Sequence, residues 1–358
     1  MKIIEKYIFK EFLKVFLFSI LAFVIIFLSI EALERIETII EKGISVKVLG
    51  LFLGMKLPVF LFQFLPFSVL VATIISIGLM SKRKEILAMK ISGISDHRIF
   101  LPYLVVAIFF SFFSFIGSEF VSPPLKERSE ILWDTKVKGL KKKASFEAER
   151  VWLRENGLIF NVKMVREKEI QGLTVLFIGD PWRIYKIIEA ERALWKEGIW
   201  ELKGVKILQF EPSGITISKL NVINLKLPVT LEDFIQGMKE PEEMRFKELY
   251  RYVREIIEEG LEARDYLIAF YLRFSYPLSS LILVMIGVPL SLLLGKKREG
   301  GMPQSIALSA FVGGLYYITL TLSLTLGKGG ILYPWLSAWG PTILFGTIGL
   351  YLLESIKH

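Results

Sequence analysis

The sequence predicts an α-helical membrane protein with six transmembrane helices, three before and three after an inserted β-rich domain. Three observations predict it. Hydrophobic residues make up 53% of the 358 positions and charged ones 23%, with a mean hydropathy of +0.51. The apolar residues gather into six runs, at 12–30, 58–80, 99–118, 274–294, 304–326 and 332–353. Between the third and fourth run, over 122–266, the hydrophobic period shortens to that of strands.

Each run has 19 to 23 residues, which at about 1.5 Å per residue crosses a hydrocarbon layer of roughly 30 Å. Alternating ten-residue strands of the kind that build membrane barrels are not found in these regions. The basic start and apolar core of residues 1–30 also fit a cleaved signal peptide, but the chain continues SIEALERIETII without a small-x-small site, so an uncleaved first span is expected. Ile30, Leu33, Ile36 and Ile40 keep a helical spacing beyond it, extending that helix past the membrane.

The formal charge of +9 is not a nucleic-acid signal. Residues 122–266 hold 26 Lys/Arg and 25 Asp/Glu, while the rest of the chain holds 19 basic and 11 acidic residues. The surplus therefore flanks the apolar runs: Lys2, Lys6, Lys10 and Lys14 before the first, Lys82, Arg83, Lys84, Lys90 and Arg98 between the second and third, and Lys296, Lys297 and Arg298 between the fourth and fifth. The positive-inside rule puts these segments and both termini in the cytoplasm and the insertion on the opposite side, the periplasm of a bacterium. The domains are then 1–121, 122–266 and 267–358.

The insertion contains RVWLREN, GLIFNVKMV, LTVLFIG, IYKIIEAERALW, GIWEL, KGVKILQF and GITISKLNVINLKL, punctuated by Gly, Pro, Asn or Asp. Seven or more such strands suggest a sandwich or an open barrel. Within 230–262, Thr230 and Asp233 followed by Met244, Leu249, Val253, Ile256 and Ile257 read as a helix returning to the membrane, with Gly260 as its stop.

The cores of the six spans carry no Asp, Glu, Lys or Arg. This argues against proton coupling and against a small charged substrate held deep in the bilayer. Charges gather instead near the outer boundary: Glu31, Glu34, Arg35, Glu119 and Arg273. Either they anchor the helices at the interface, or Arg35 and Arg273 receive the head group of an anionic amphiphile.

Segment 81–100 places five basic residues in a short loop that also holds Ile86, Leu87, Met89 and Ile91. A solvated tether needs no such apolar residues. A short helix over 82–91 is expected, capped by Ser81 and stopped at Gly93, with Glu85 and Met89 on one face. It suits docking into a partner's groove, or lying on anionic lipid.

Enzymatic chemistry finds little support. The chain has no cysteine and only His97 and His358, so thiolate and histidine metal sites are not expected. A phosphate loop needs a glycine five residues before its Gly-Lys pair, and Gly295-Lys296 and Gly327-Lys328 have Leu290 and Leu322 there. Hydrolase elbows and zinc-protease motifs are missing too. Any energy for work comes from another chain.

LPFSVLVATIISIGLMSKRKEILAMKISGIS at 65–95 and YLRFSYPLSSLILVMIGVPLSLL at 271–293, with GGLYYI at 313–318 and YPWLSAWGPTILF at 333–345, resemble the LptF/LptG-type permeases, the YjgP/YjgQ proteins of lipopolysaccharide export. The resemblance spans essentially the whole chain. It implies a periplasmic β-jellyroll and a transmembrane subunit, itself no enzyme, of an ABC transporter in the inner membrane. The implied partners are a paralogous LptF/LptG-type permease, a dimeric LptB-type cytoplasmic ATPase that binds the ATP and Mg, an LptC-type single-span periplasmic bridge protein, and lipopolysaccharide. No cofactor is implied in this chain. Helix 82–91 matches the family's coupling helix, with Glu85 at its acidic position and Arg83, Met89 and Lys90 as neighbours at the ATPase. The family's lateral entry surfaces correspond to Phe16, Phe23 and Phe27 of the first span and Phe311, Leu315, Tyr316 and Leu320 of the fifth; packing within the bundle is the alternative for each. A permease for another amphiphile, or a membrane-anchored assembly scaffold, are the competing readings of the chain.

Overall fold

The computed structural model describes residues 3–137, 145–146, 151–155, 158–166, 169–179, 183–196, 198–211, 214–231, 234, 240–258, 263–296 and 302–355. The chain forms two compact units, one of residues 1–129 and 264–358 and the other of residues 130–263.

The first unit is a helical bundle. α1 (Ile3–Glu41), α2 (Val46–Lys82), α4 (Asp96–Phe120), α7 (Arg264–Lys296), α8 (Met302–Lys328) and α9 (Pro334–Ser355) are six helices long and apolar enough to cross a membrane. α3 (Glu85–Ile91) lies between α2 and α4, and α5 (Ser122–Lys136) follows α4. α1 has 39 residues, about 58 Å of helix, so it projects well beyond a roughly 30 Å apolar layer. The expected helical extension through Ile40 is present, with Leu33 and Ile40 exposed and Ile39 buried.

α2 and α7 form the centre of the bundle. α2 packs against α1, α4, α7 and α8, and α7 against α2, α4, α8 and α9. Small and hydroxylic residues bring these helices close, as expected where van der Waals packing rather than water exclusion drives association. Ser76 and Tyr103 share a hydrogen bond of 3.0 Å between α2 and α4. The Ser111 hydroxyl of α4 donates to the Pro277 carbonyl of α7 at 2.8 Å. A Cβ built on Gly117 of α4 would stand 2.0 Å from the Phe62 ring of α2, so the ring fills the space that glycine leaves.

The second unit holds an antiparallel sheet in which β1 (Ser145–Phe146) and β2 (Val151–Glu155) both pair with β3 (Leu158–Arg166), followed in order by β4 (Glu169–Gly179), β5 (Arg183–Lys196), β6 (Ile199–Glu211) and β7 (Gly214–Leu225). This inserted antiparallel domain is consistent with a jellyroll-like insertion. Its buried face carries Phe160, Val162, Leu173, Val175, Ile188 and Trp200, and Val229 and Phe234 from beyond β7 pack on it. The Trp200 indole N–H donates to the Val229 carbonyl at 2.8 Å, satisfying a polar group that burial would otherwise penalise.

GIWEL and KGVKILQF, expected as two strands, form the single strand β6 because Gly204 carries the chain through at φ +62°. Gly172 of β4 is likewise at φ +67°. Around both, the strand register skips a pair. Lys163 lies opposite Gly172, and Gly172, Glu191, Gly204 and Asn221 continue the same row across the strands.

α6 (Phe246–Glu258) buries Leu249, Tyr252, Val253 and Ile256 on one face. It supplies the return helix expected within 230–262, but starts at Phe246, after a turn at 241–243. Asp233 and Gly260 lie outside the described residues.

Candidate functional site

The segment between α2 and α4 folds into a helix, though not as one continuous turn from residue 82. α2 runs through Lys82, Arg83 caps it, and Lys84 takes a left-handed conformation with φ 60° before α3 begins at Glu85. Lys84 is the only non-glycine residue at positive φ among the described residues. Such a conformation costs an L-residue about 1–2 kcal/mol. Ser81, expected as the cap, lies inside α2; the N-cap is Lys84 and makes no side-chain capping bond. α3 stops at Ser92, just before Gly93.

Once formed, α3 divides its residues between two sides. Ile86 is buried in the bundle core and Met89 packs partly against it. Leu87 and Ile91 are exposed, at 55% and 79%. Lys90 is paired with Asp96 at 2.7 Å, which ties α3 to the start of α4.

Glu85 reaches back to α1. Its Oε2 accepts a hydrogen bond of 2.9 Å from the Tyr7 hydroxyl. Arg83 Nη1 stands 3.5 Å from Glu11 Oε2 and 3.7 Å from Glu85 Oε1, and Lys14 pairs with Glu11 at 2.7 Å. The Arg83 guanidinium is pushed above its ordinary pKa, first by its hydrogen bond with Tyr7 and then by the Glu11 charge. Of the residues assigned to coupling from the sequence, Arg83 and Glu85 thus meet each other, while Met89 and Lys90 are engaged elsewhere in the bundle. Tyr7 and Glu11 were not expected here; they lie 78 and 74 residues before Glu85 in the sequence, and no local pattern joins them.

The lateral-surface residues separate in the same way. Phe16 is buried, with its ring 4.3 Å from that of Phe110. Phe27 stacks on Phe64 at 3.9 Å, and Phe23 on Phe64 at 5.8 Å. All three phenylalanines turn inward, and Leu17, Phe18, Leu21, Ile25 and Ile26 form the exposed side of α1. On α8, Tyr316 and Leu320 are buried in a core cluster with Leu70 and Phe345, whereas Phe311 and Leu315 are exposed.

The two arginines stand in different environments. Arg35 pairs with Glu31 at 2.7 Å and lies 4.4 Å above the Phe52 ring, which Lys56 also approaches to 5.3 Å. Arg273 of α7 pairs with Glu119 of α4 at 2.5 Å, both largely shielded from solvent. Below that pair, Ser111, Phe112, Phe115, Phe274, Pro277 and Trp339 contribute to an apolar cavity of about 440 Å³.

Among the described residues no group of three His, Cys, Asp or Glu side chains could hold a metal ion. Six helices long and apolar enough to cross a membrane, with an inserted antiparallel sheet domain, define a multi-pass membrane protein. A family model described as lipopolysaccharide export system permease LptF/LptG matches residues 6–355, and the chain belongs to this family of inner-membrane permease subunits. It is 21% identical to the lipopolysaccharide export system permease protein LptG of Haemophilus influenzae over 98% of both chains. To the protein of the same name from Escherichia coli K12 it is 19% identical, again over 98% of both.

Proposed function

We propose that this chain is a transmembrane subunit that takes lipopolysaccharide laterally from the inner membrane and passes it to a periplasmic bridge, driven by ATP hydrolysis in a separate chain. The observation that carries the reading is α3. It is a short helix whose inner side is anchored by Ile86 and whose Leu87 and Ile91 stand exposed among basic residues. An amphipathic helix of this kind seats in a groove of a partner, and the partner that fits the family is a dimeric LptB-type ATPase with ATP and Mg bound in its own sites. The termini and α3 then face the cytoplasm and the sheet domain the periplasm, in accord with the positive-inside rule.

A paralogous LptF/LptG-type permease completes the cavity, and an LptC-type protein receives the lipid. The apolar outer sides of α1 and α8, with Phe18, Leu21, Phe311 and Leu315 exposed, keep acyl chains in an apolar setting as they enter. Moving chains into water costs on the order of 0.8 kcal/mol per exposed CH₂, which a shielded periplasmic path offsets. Arg35 and Arg273 receive the head group at the periplasmic end of the helices by exchanging their carboxylate partners, Glu31 and Glu119, for it.

The test is Glu85→Arg in the assembled complex. ATP hydrolysis persisting without lipopolysaccharide export is the expected result, with the protein still inserted and assembled. Unchanged export by Glu85→Arg defeats the assignment of α3. Native mass spectrometry of copurified lipid separates this reading from a permease for another amphiphile.

A further inference from the structure

The polar contacts between α1 and the α2–α3 junction are more than α3 needs in order to stay folded. Ile86 already seats α3 in the core, and Lys90 with Asp96 already ties its far end to α4. Yet Glu85, the first residue of α3, is turned toward α1, where the Tyr7 hydroxyl donates to it at 2.9 Å. Arg83 lies between Glu11 and Glu85, at 3.5 and 3.7 Å, and Glu11 is only 8% exposed at its side chain. Around this cluster the backbone offers one weak point, the left-handed Lys84 immediately before Glu85.

These contacts select α1 and not its neighbours. α1 is the helix whose apolar span is least buried, at 17% against 72% for α2, so much of its surface is free of packing against the rest of the bundle. A force applied to α3 reaches α2 through the chain itself. It reaches α1 through the core that Ile86 shares with Ile8 and Phe12, and by directed polar contact across Tyr7, Glu11, Arg83 and Glu85.

We propose that Tyr7 and Glu11 are positioning residues that latch the first turns of α1 to Glu85 and Arg83, so that α3 and the base of α1 move as one body about Lys84. This rests on the reading of α3 as the element that the ATPase moves, and it adds the route by which that motion arrives at the lipid-facing side of α1. Glu85 thus holds α1 from the first turn of the docking helix, whose exposed apolar side is formed by Leu87 and Ile91.

Hydrogen exchange on the full-length chain in lipid nanodiscs, as parent and as Tyr7→Phe, tests the latch without any ATPase. Loss of one hydrogen bond to a charged group speeds opening about tenfold. That acceleration is expected at the amides of α3 and of residues 3–14 of α1, with α2 and α7 unchanged. Acceleration throughout the bundle marks a general packing loss and overturns the proposal, as does no acceleration at all. The second measurement is the number of lipids exported per ATP in the assembled complex, which is expected to fall in Tyr7→Phe and further in Tyr7→Phe/Glu11→Gln. Local loosening with an unchanged ratio overturns the transmission route while leaving the docking assignment of α3 standing. Failure of that assignment appears separately, as unchanged export by Leu87→Asp/Ile91→Asp, a variant at two exposed positions of α3 that leaves Tyr7, Glu11, Arg83 and Glu85 in place.

Discussion

α1 and α2 are neighbours of nearly equal length and similar apolar content, and they hold opposite positions in the bundle. Their most apolar windows have mean hydropathies of 2.7 and 2.2, yet 17% of the first is buried and 72% of the second. The difference lies in the small and hydroxylic residues. Ser68, Thr73, Ser76 and Gly78 of α2 are all buried; Ser76 meets Tyr103 of α4, and Ser305 of α8 lies against Gly78. α1 buries one edge, through Phe12, Phe16, Ile20 and Val24, and leaves Leu17, Phe18, Leu21 and Ile25 outward. Hydropathy measures fitness for the bilayer; it does not say whether a side chain meets lipid or protein.

Three substitutions sharpen this contrast, in falling order of effect. Leu70→Ala opens a cavity on α2 at a position with no exposed surface, and a loss of about 2–4 kcal/mol is expected, read as a lowered unfolding midpoint of the purified protein. Gly117→Ala forces a methyl against the Phe62 ring, with an expected loss of about 1–2 kcal/mol; a shift as large as that of Leu70→Ala would show that the α2–α4 contact is less yielding than the α2 core. Phe18→Ala on α1, where the ring is 75% exposed, is expected to change the stability of the isolated chain by less than about 0.5 kcal/mol. A loss comparable to that of Leu70→Ala would break the distinction between the two helices.

The six spans were legible because a bilayer imposes both length and composition on a helix, and the runs at 12–30 and 58–80 meet both. α3 was legible for the reverse reason: Ile86, Leu87 and Ile91 are out of place in a basic loop unless something covers them. Which side of each span faces the protein was not legible. Apolar residues surround α1 on every side, so Phe16, Phe23 and Phe27 carry no local sign of pointing inward to Phe110 and Phe64. The Tyr7–Glu85 contact was out of reach because the folding of α2 brings it about. In the sheet, a glycine between two apolar stretches read as a strand end, while Gly204 at positive φ keeps β6 running.

That glycine belongs to a row that crosses the sheet. At one level across β3 to β7 the pairing lapses on successive strands, through Lys163, Gly172, Glu191, Gly204 and Asn221. Over the two glycines lie the flexible side chains of Lys163 and Glu191, within 3 Å of where a Cβ would be. Interrupted pairing lets strands bend locally, and glycines at such points are how sheets acquire sharp curvature. The register is the same on either side of the row, so the ladder is interrupted at this level without any strand slipping past its neighbour, and the buried residues on both sides of it belong to one core.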